Sequence, residues 1–346
     1  MAVDTDRDGR GAILSVRSLN VDFTLRGARH RVLRDVSLDV RRGENLAIVG
    51  ESGSGKSVFC KSLMGLLDAN GRVESGEILY EGADLATLTE KEWLKIRGKE
   101  IAIVMQDPMT SLNPLIPIGR QITEALRLHR GLKGKAAREA AMGYLRDVGI
   151  AQPELRFKQY PHEFSGGMRQ RAVIAIAIAC RPKILICDEP TTAIDVTIQA
   201  QILDLLLSLQ QKYQLTTIYI THDLGVVARV ADRVAVMYAG DFVEIGTTEE
   251  IFYDPRHPYV WALLSSMPQL AKKGENLYSI EGSPPDLSSP LAGDAFAPRN
   301  RYALKIDFVR RPPLFSLTET HQARSWLLDP RAPKHERPET KGGGAG

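Results

Sequence analysis

The stretch that decides the fold is G-E-S-G-S-G-K-S, Gly50–Ser57. It follows the apolar run Leu46–Val49 and leads into Ser57–Leu67, which reads as a helix. The pattern is G-x-x-x-x-G-K-[ST]. Glycines let backbone N–H groups curl around the α- and β-phosphates of a nucleotide, and the helix that follows points its positive end at them. Gly50, Ser52, Gly53, Ser54 and Gly55 would form that cradle. Lys56 would pair with the β- and γ-phosphates, and Ser57 would hold Mg²⁺. The pattern also occurs by chance, but here a strand precedes it and a helix follows, as the chemistry requires.

A phosphate loop needs a carboxylate on a neighbouring strand for the metal. K-I-L-I-C-D-E-P, Lys183–Pro190, supplies one. Asp188 is expected to serve Mg²⁺, and Glu189 to polarise the attacking water as general base. An ordinary acidic pair at a strand end is the bland alternative.

Composition sets the class. The chain has 346 residues, 43% hydrophobic and 25% charged, a soluble globular balance with room for a sizeable core. A net charge of +3 does not argue for nucleic acid. The denser cluster Arg26–Arg34 reads as a solvated hairpin turn. The polar N-terminus does not read as a signal peptide, and none is expected there. No stretch approaches the ~20 apolar residues of a membrane span. The uncharged run Ala172–Cys180 is far shorter, so the chain is expected to dock on a membrane protein at most. Cys60, Cys180 and Cys187 have no metal-ligand spacing and read as buried free thiols in a reducing cytosol.

Strands are expected at Leu14–Thr24, Val32–Val40, Leu46–Val49, Glu77–Tyr80, Ile101–Met105, Lys183–Cys187, Thr216–Thr221 and Val234–Tyr238, with Arg26–Arg31 as a turn. Helices are expected at Ser57–Leu67, Ile118–His129, Lys135–Val148, Met168–Ala179 and Ile198–Lys212. In Lys135–Val148, Ala137, Ala141, Tyr144, Leu145 and Val148 share one face. Alternation of this kind argues for an α/β core with a largely parallel sheet. Prolines then punctuate the chain from Pro255 to Pro313, marking a smaller, loop-rich C-terminal region.

F-S-G-G-M-R-Q-R, Phe164–Arg171, resembles the signature motif of ATP-binding-cassette (ABC) ATPases. The companion motifs follow in order. Gln106 in V-M-Q-D-P is similar to the Q-loop glutamine, which also reaches Mg²⁺. Asp195 in T-T-A-I-D is similar to the D-loop aspartate, with Ile194 where leucine is usual. His222 in Y-I-T-H-D is similar to the switch histidine. Phe23 is the candidate to stack on adenine, with Arg31 and His30 as alternatives. This resemblance covers Leu14 to Gly246. It implies a P-loop core over residues 12–250, made of a parallel sheet plus an antiparallel β subdomain, with a helical subdomain at about 107–180. It also implies that Ser165, Gly166 and Gly167 bind the γ-phosphate held by a second cassette, two ATPs being sandwiched between the pair.

Finer stretches resemble the ATPases of oligopeptide/dipeptide importers: M-Q-D-P-M-T-S-L-N-P at Met105–Pro114, Y-P-H-E-F-S-G-G-M-R-Q-R at Tyr160–Arg171, D-P-R-H-P-Y at Asp254–Tyr259 and E-G-S-P-P-D-L at Glu281–Leu287. L-M-G-L-L-D-A-N-G-R-V at Leu63–Val73 is similar to the D-type subunit. The resemblance implies an extension over 251–330, then a disordered tail at 331–346. It further implies a second, related ATPase subunit, two transmembrane permeases, an extracytoplasmic peptide-binding protein, and a place on the cytoplasmic face of the membrane. A groove lined by Asp107–Pro114 would receive a permease helix. A surface loop without a partner would leave Met109, Leu112 and Leu115 exposed with no explanation. The alternative is a non-membrane ABC ATPase acting on nucleic acid or ribosomes. The 109 positions from Lys56 to Ser165, and a single phosphate loop, disfavour it.

Many members of this group hold an iron–sulfur cluster on four cysteines of the extension. Here Asp294, Asn300, Asp307 and Ser325 occupy those places. Such clusters need thiolates, so no cluster is expected. A hard cation on Asp294 and Asp307 is the minor alternative. Phe296, Tyr302, Phe308, Phe315 and Trp326 are the expected apolar anchors. The extension is expected to help pair the two ATPases, and its removal from Leu287 onward to leave the phosphate site intact.

Overall fold

The computed structural model describes residues 11–192, 195–267, 280–286 and 291–334. Ile194, Leu287 and residues 335–346 of the tail, all named above, lie outside the described residues. Within the tail, Arg331 bonds the Asp329 carboxylate at 2.8–2.9 Å.

The chain begins with two long strands, β1 (Ala12–Leu25) and β2 (Ala28–Arg41). Both bury alternate residues and both change phase once. In β1 the buried set runs Leu14, Val16, then Leu19, Val21, with Ser18 at φ 44 between them. In β2 it runs Leu33, then Val36, Leu38, Val40, with Asp35 at φ 52. One left-handed residue shifts the two-residue period, so the apolar side chains after it return to the same face. The connecting turn is shorter than the sequence suggested. Arg26 and Gly27 alone make it, both at positive φ, as two-residue hairpins require.

Next come β3 (Asn45–Val49), α1 (Lys56–Leu63), β4 (Gly71–Tyr80), β5 (Ala83–Asp84) and α2 (Glu90–Ile96). A helical stretch follows β6 (Ile101–Val104): α3 (Pro108–Ser111), α4 (Ile118–Arg130), α5 (Gly134–Asp147), α6 (Pro153–Arg156) and α7 (Gly166–Ile178). Then β7 (Ile184–Asp188), α8 (Val196–Tyr213), β8 (Thr216–Thr221), α9 (Leu224–Val230), β9 (Arg233–Tyr238) and β10 (Asp241–Thr247) alternate. The end of the chain adds α10 (Thr248–Tyr253), α11 (Pro258–Ser265), β11 (Phe315–Ser316) and β12 (Gln322–Ala323).

These elements form two compact units. One contains residues 41–45 and 87–220. Its strands β6, β7 and β8 pair in parallel, with Ile101 opposite Ile184 and Ile184 opposite Thr216. The apolar run Ile184–Cys187 of β7 and every residue of β8, its threonines included, are buried, the pattern of a covered parallel sheet. Helices α4, α5 and α7 pack together here, and Ala137, Ala141, Tyr144, Leu145 and Val148 are all buried, as the spacing predicted.

The other unit contains residues 12–40, 46–86 and 221 onward. It holds an antiparallel sheet in the order β2-β1-β4-β5. Its other strands run β3 parallel to β9, then β9, β10, β12 and β11 antiparallel in turn. The mixed α/β architecture with a separate antiparallel sheet matches the expected fold class.

The three cysteines are buried, and burial pushes the Cys180 thiol up to about 11 and that of Cys187 higher still. No helix among the described residues is long and apolar enough to cross a membrane.

In the extension, Phe296 and Trp326 are buried as expected, but Tyr302 and Phe308 are exposed and Phe315 is half-buried. Polar groups take the core places instead. His257, Glu244 and His321 are at most 1% exposed, and Asp307 is 2% exposed. Glu244 accepts the backbone N–H groups of Arg256 and His257, and His321 Nε2 lies 2.7 Å from its carboxylate.

Candidate functional site

The phosphate loop has the shape its sequence promises. Gly50 sits at φ 157, and a Cβ there would lie 2.1 Å from the Met237 carbonyl oxygen. Gly53 and Gly55 also hold positive φ, 78° and 107°. Gly55 caps α1, whose first turn carries no acidic residue, so its positive end is uncompensated. Lys56 is 6% exposed. Its Nζ donates to the carbonyls of Gly50 at 2.7 Å and Glu51 at 2.8 Å, and to Ser54 Oγ at 3.4 Å. Ser52 and Ser57 are exposed. A loop bent through three glycines at positive φ, one buried ammonium group and a bare helix end suit the phosphate chain of a nucleotide. The exposed hydroxyl of Ser57, at the start of α1, is the kind of oxygen donor that suits the hard cation Mg²⁺.

Glu189 stands at the end of β7 with φ 46, a left-handed backbone that a non-glycine residue adopts at a cost of ~1 kcal/mol or more. Its amide donates to the Ile220 carbonyl at 2.8 Å, which fixes the turn. Gln106 Nε2 donates to the Glu189 carboxylate at 2.8 Å, and Thr192 Oγ1 at 2.9 Å. The structure thus joins two expected residues, Gln106 and Glu189, that lie 83 positions apart. It adds Thr192, which the sequence reading missed. It also adds Gln170, fully buried in α7, whose Nε2 donates to the Pro190 carbonyl at 2.9 Å. The signal for Gln170 was a polar residue on an otherwise apolar helical face.

Ser165 caps α7, accepting the Met168 amide at 3.3 Å. Gly166 has open space where a Cβ would be, and a Cβ on Gly167 would touch Ile198 at 3.1 Å. The first turn of this 13-residue helix has no acid, so it too presents a bare positive end. Asp195 is exposed at the start of α8, and His222 is exposed just after β8. Phe23 is half-buried, its ring against Gly71, where a Cβ would come within 2.7 Å. Of the alternatives, Arg31 pairs with Asp22 at 2.9 Å and His30 Nδ1 is buried with no hydrogen-bond partner.

One feature differs from expectation. Met109 and Leu115 are exposed, but Leu112 is 3% exposed and belongs to the core. Arg299 of the extension also reaches the phosphate loop, pairing with Glu51 at 2.7 Å.

Comparison with known proteins decides the assignment. The ABC transporter family profile matches residues 33–192, and the profile of the oligopeptide/dipeptide transporter C-terminal region matches 243–306. The oligopeptide transport ATP-binding protein AmiE of Streptococcus pneumoniae is 58% identical over 330 residues, covering 95% of this chain and 93% of that protein. This chain belongs to the ATP-binding subunits of oligopeptide/dipeptide ABC transporters.

Further relatives of this ABC subunit include the oligopeptide transport ATP-binding protein OppD of Bacillus subtilis, 57% identical over 94% of the chain and 92% of that protein. The dipeptide transport ATP-binding protein DppD of Lactococcus lactis is 54% identical over 93% of each. Among solved structures, a dimeric ATP-binding cassette in a post-hydrolysis state with ADP and Pi matches with TM-score 0.61 and 26% identity, covering 68% of this chain and 98% of that one.

The ABC subunit's extension does not offer an iron–sulfur donor set. Asp294 accepts the Phe296 amide at 3.0 Å, Asn300 that of Tyr302 at 2.9 Å, Asp307 that of Leu304 at 2.6 Å, and Ser325 that of Leu327 at 3.3 Å. All four are oxygen groups spent on backbone capping. Among the described residues no group of three or more His, Cys, Asp or Glu is placed to hold a metal ion.

Proposed function

We propose that this chain is the ATP-hydrolysing subunit that drives an importer of oligopeptides or dipeptides from the cytoplasmic face of the membrane. The observation that carries this reading is the near full-length match to transport ATP-binding proteins, extension included. The non-membrane alternative is not favoured by those relatives.

The chemistry assigns roles to the residues. Lys56 exchanges its loop carbonyls for β- and γ-phosphate oxygens. Gly53, Ser54 and Gly55 offer backbone N–H groups to the same phosphates, and Phe23 stacks on the adenine. Ser57, Gln106 and Asp188 would hold Mg²⁺, which when bound would offset phosphate charge. Glu189 accepts a proton from the attacking water, and His222 stabilises the oxygens it attacks beside. Gln106 orients the Glu189 carboxylate through the hydrogen bond already formed. Ser165, Gly166 and Gly167 serve the γ-phosphate held by the other ATPase, with Asp195 at the contact between the two. That other ATPase is a related but different chain. Two permeases and an extracytoplasmic peptide-binding protein complete the machine, and exposed Met109 lies on the loop that meets a permease. The extension carries no iron–sulfur cluster.

The test is to tag the chain, extract it gently from membranes of its native cell, and identify what co-purifies. Two permeases and a second ATPase support the reading. Recovery in the soluble fraction with DNA or ribosomes overturns it.

A further inference from the structure

We propose that Arg299 of the extension is a positioning residue for the phosphate loop and sets how tightly that loop takes ATP. This rests on the reading that Gly50–Ser57 binds the nucleotide.

Glu51 is the second residue of the loop, and it is held at both ends. Its amide donates to Tyr259 Oη at 2.8 Å. Its carboxylate meets the guanidinium of Arg299 through two bonds, Nη1 at 2.7 Å and Nη2 at 3.1 Å. A forked pair of this kind fixes direction as well as distance. Arg299 is itself immobilised. Its side chain is 6% exposed, Nη1 also donates to Tyr238 Oη at 3.1 Å, and Nε donates to the Glu281 carbonyl at 2.9 Å. The rings of Tyr238, Tyr259 and Phe296 pack together at 4.5–5.3 Å and wall in the guanidinium.

The grip reaches the residue that handles phosphate. The Glu51 carbonyl is one of the acceptors of Lys56 Nζ. Arg299 therefore fixes Glu51, and Glu51 fixes the starting position of Lys56. Two effects on affinity follow. A loop already held costs less ordering when ligand arrives. A carboxylate on the second residue of an anion cradle repels phosphate unless a cation covers it, and Arg299 covers it. Arg299 touches no phosphate in this scheme. It acts through Glu51.

The test is equilibrium binding of mant-ATP with Mg²⁺ to the full-length chain. Arg299→Met is expected to weaken binding about tenfold, the equivalent of one charge-assisted hydrogen bond. Adding Glu51→Gln to it should restore binding to within about threefold of the original chain, since the uncovered charge is then gone. A structural role for Arg299 alone would not be rescued that way. Affinity within twofold of the original in Arg299→Met, or no rescue by Glu51→Gln, overturns the proposal. If Arg299→Met does not fold, Arg299→Lys takes its place; it keeps the charge but loses the fork, and undiminished affinity there overturns the proposal equally. The original chain and Lys56→Ala run alongside. An original chain that fails to bind mant-ATP overturns the nucleotide reading. An original chain that binds, beside an Arg299 variant that binds as well, overturns only the clamp.

Discussion

Gln106 and Glu189 are hydrogen-bonded at 2.8 Å across the parallel strands β6 and β7. The amide therefore points its donor at the carboxylate proposed to take the water proton. Replacing Glu189 with Gln keeps the shape and removes the base. ATP hydrolysis by the assembled importer should fall by about 10² or more while ATP binding is retained. Phosphate release assays and mant-ATP binding check the two halves, and normal hydrolysis would remove Glu189 from its role.

Lys56 holds three acceptors of its own loop and is the cation proposed for the phosphates. Lys56→Ala loses both. Nucleotide affinity should drop at least about tenfold, consistent with the loss of one or more charge-assisted bonds. Retained affinity by isothermal titration would refute the phosphate role.

Gly50 and Gly53 make a graded pair. Gly53→Ala meets no atom within 4 Å and suffers only from its positive φ, at ~1 kcal/mol. Gly50→Ala drives a methyl group into the Met237 carbonyl. Chemical denaturation should show a small loss for Gly53→Ala and a much larger one, or no folded protein, for Gly50→Ala. Equal losses would mean that close approach does not matter at Gly50.

Asp294 gives a pH prediction. Burial raises its carboxyl from 3.8 to about 7. The folded state therefore binds a proton that the unfolded state has released between those values. That contribution is fully present below pH 3.8 and is lost as pH rises towards 7. Asp294→Asn keeps the oxygen that caps Phe296 and abolishes the titration. Relative to the original chain, the variant should gain up to about 1.4 kcal/mol for each pH unit between 4 and 7. Urea midpoints at pH 4.5 and 6.5 check this, and a difference that does not grow with pH refutes it.

Local patterns made much of this legible. The α5 stripe from Ala137 to Val148 is buried because a 3.6-residue period leaves it no other face. The phosphate loop was legible because its glycines are needed for backbone conformation, not for side chains. Leu112 was misread because exposure in a short loop depends on what packs beneath it. Tyr302 and Phe308 were misread for a different reason. Inside the extension His257, His321 and Asp307 are buried beside Phe296 and Trp326, with His321 bonded to Glu244 of β10, and buried polar groups leave no periodic trace. The Arg299–Glu51 pair spans 248 positions, and nothing local marks either partner.

The four oxygen-to-amide caps at Asp294, Asn300, Asp307 and Ser325 have a chemical consequence. A hydrogen bond from a backbone N–H to a side-chain oxygen forms without a metal, and none of the four side chains is a thiol that peroxide can oxidise.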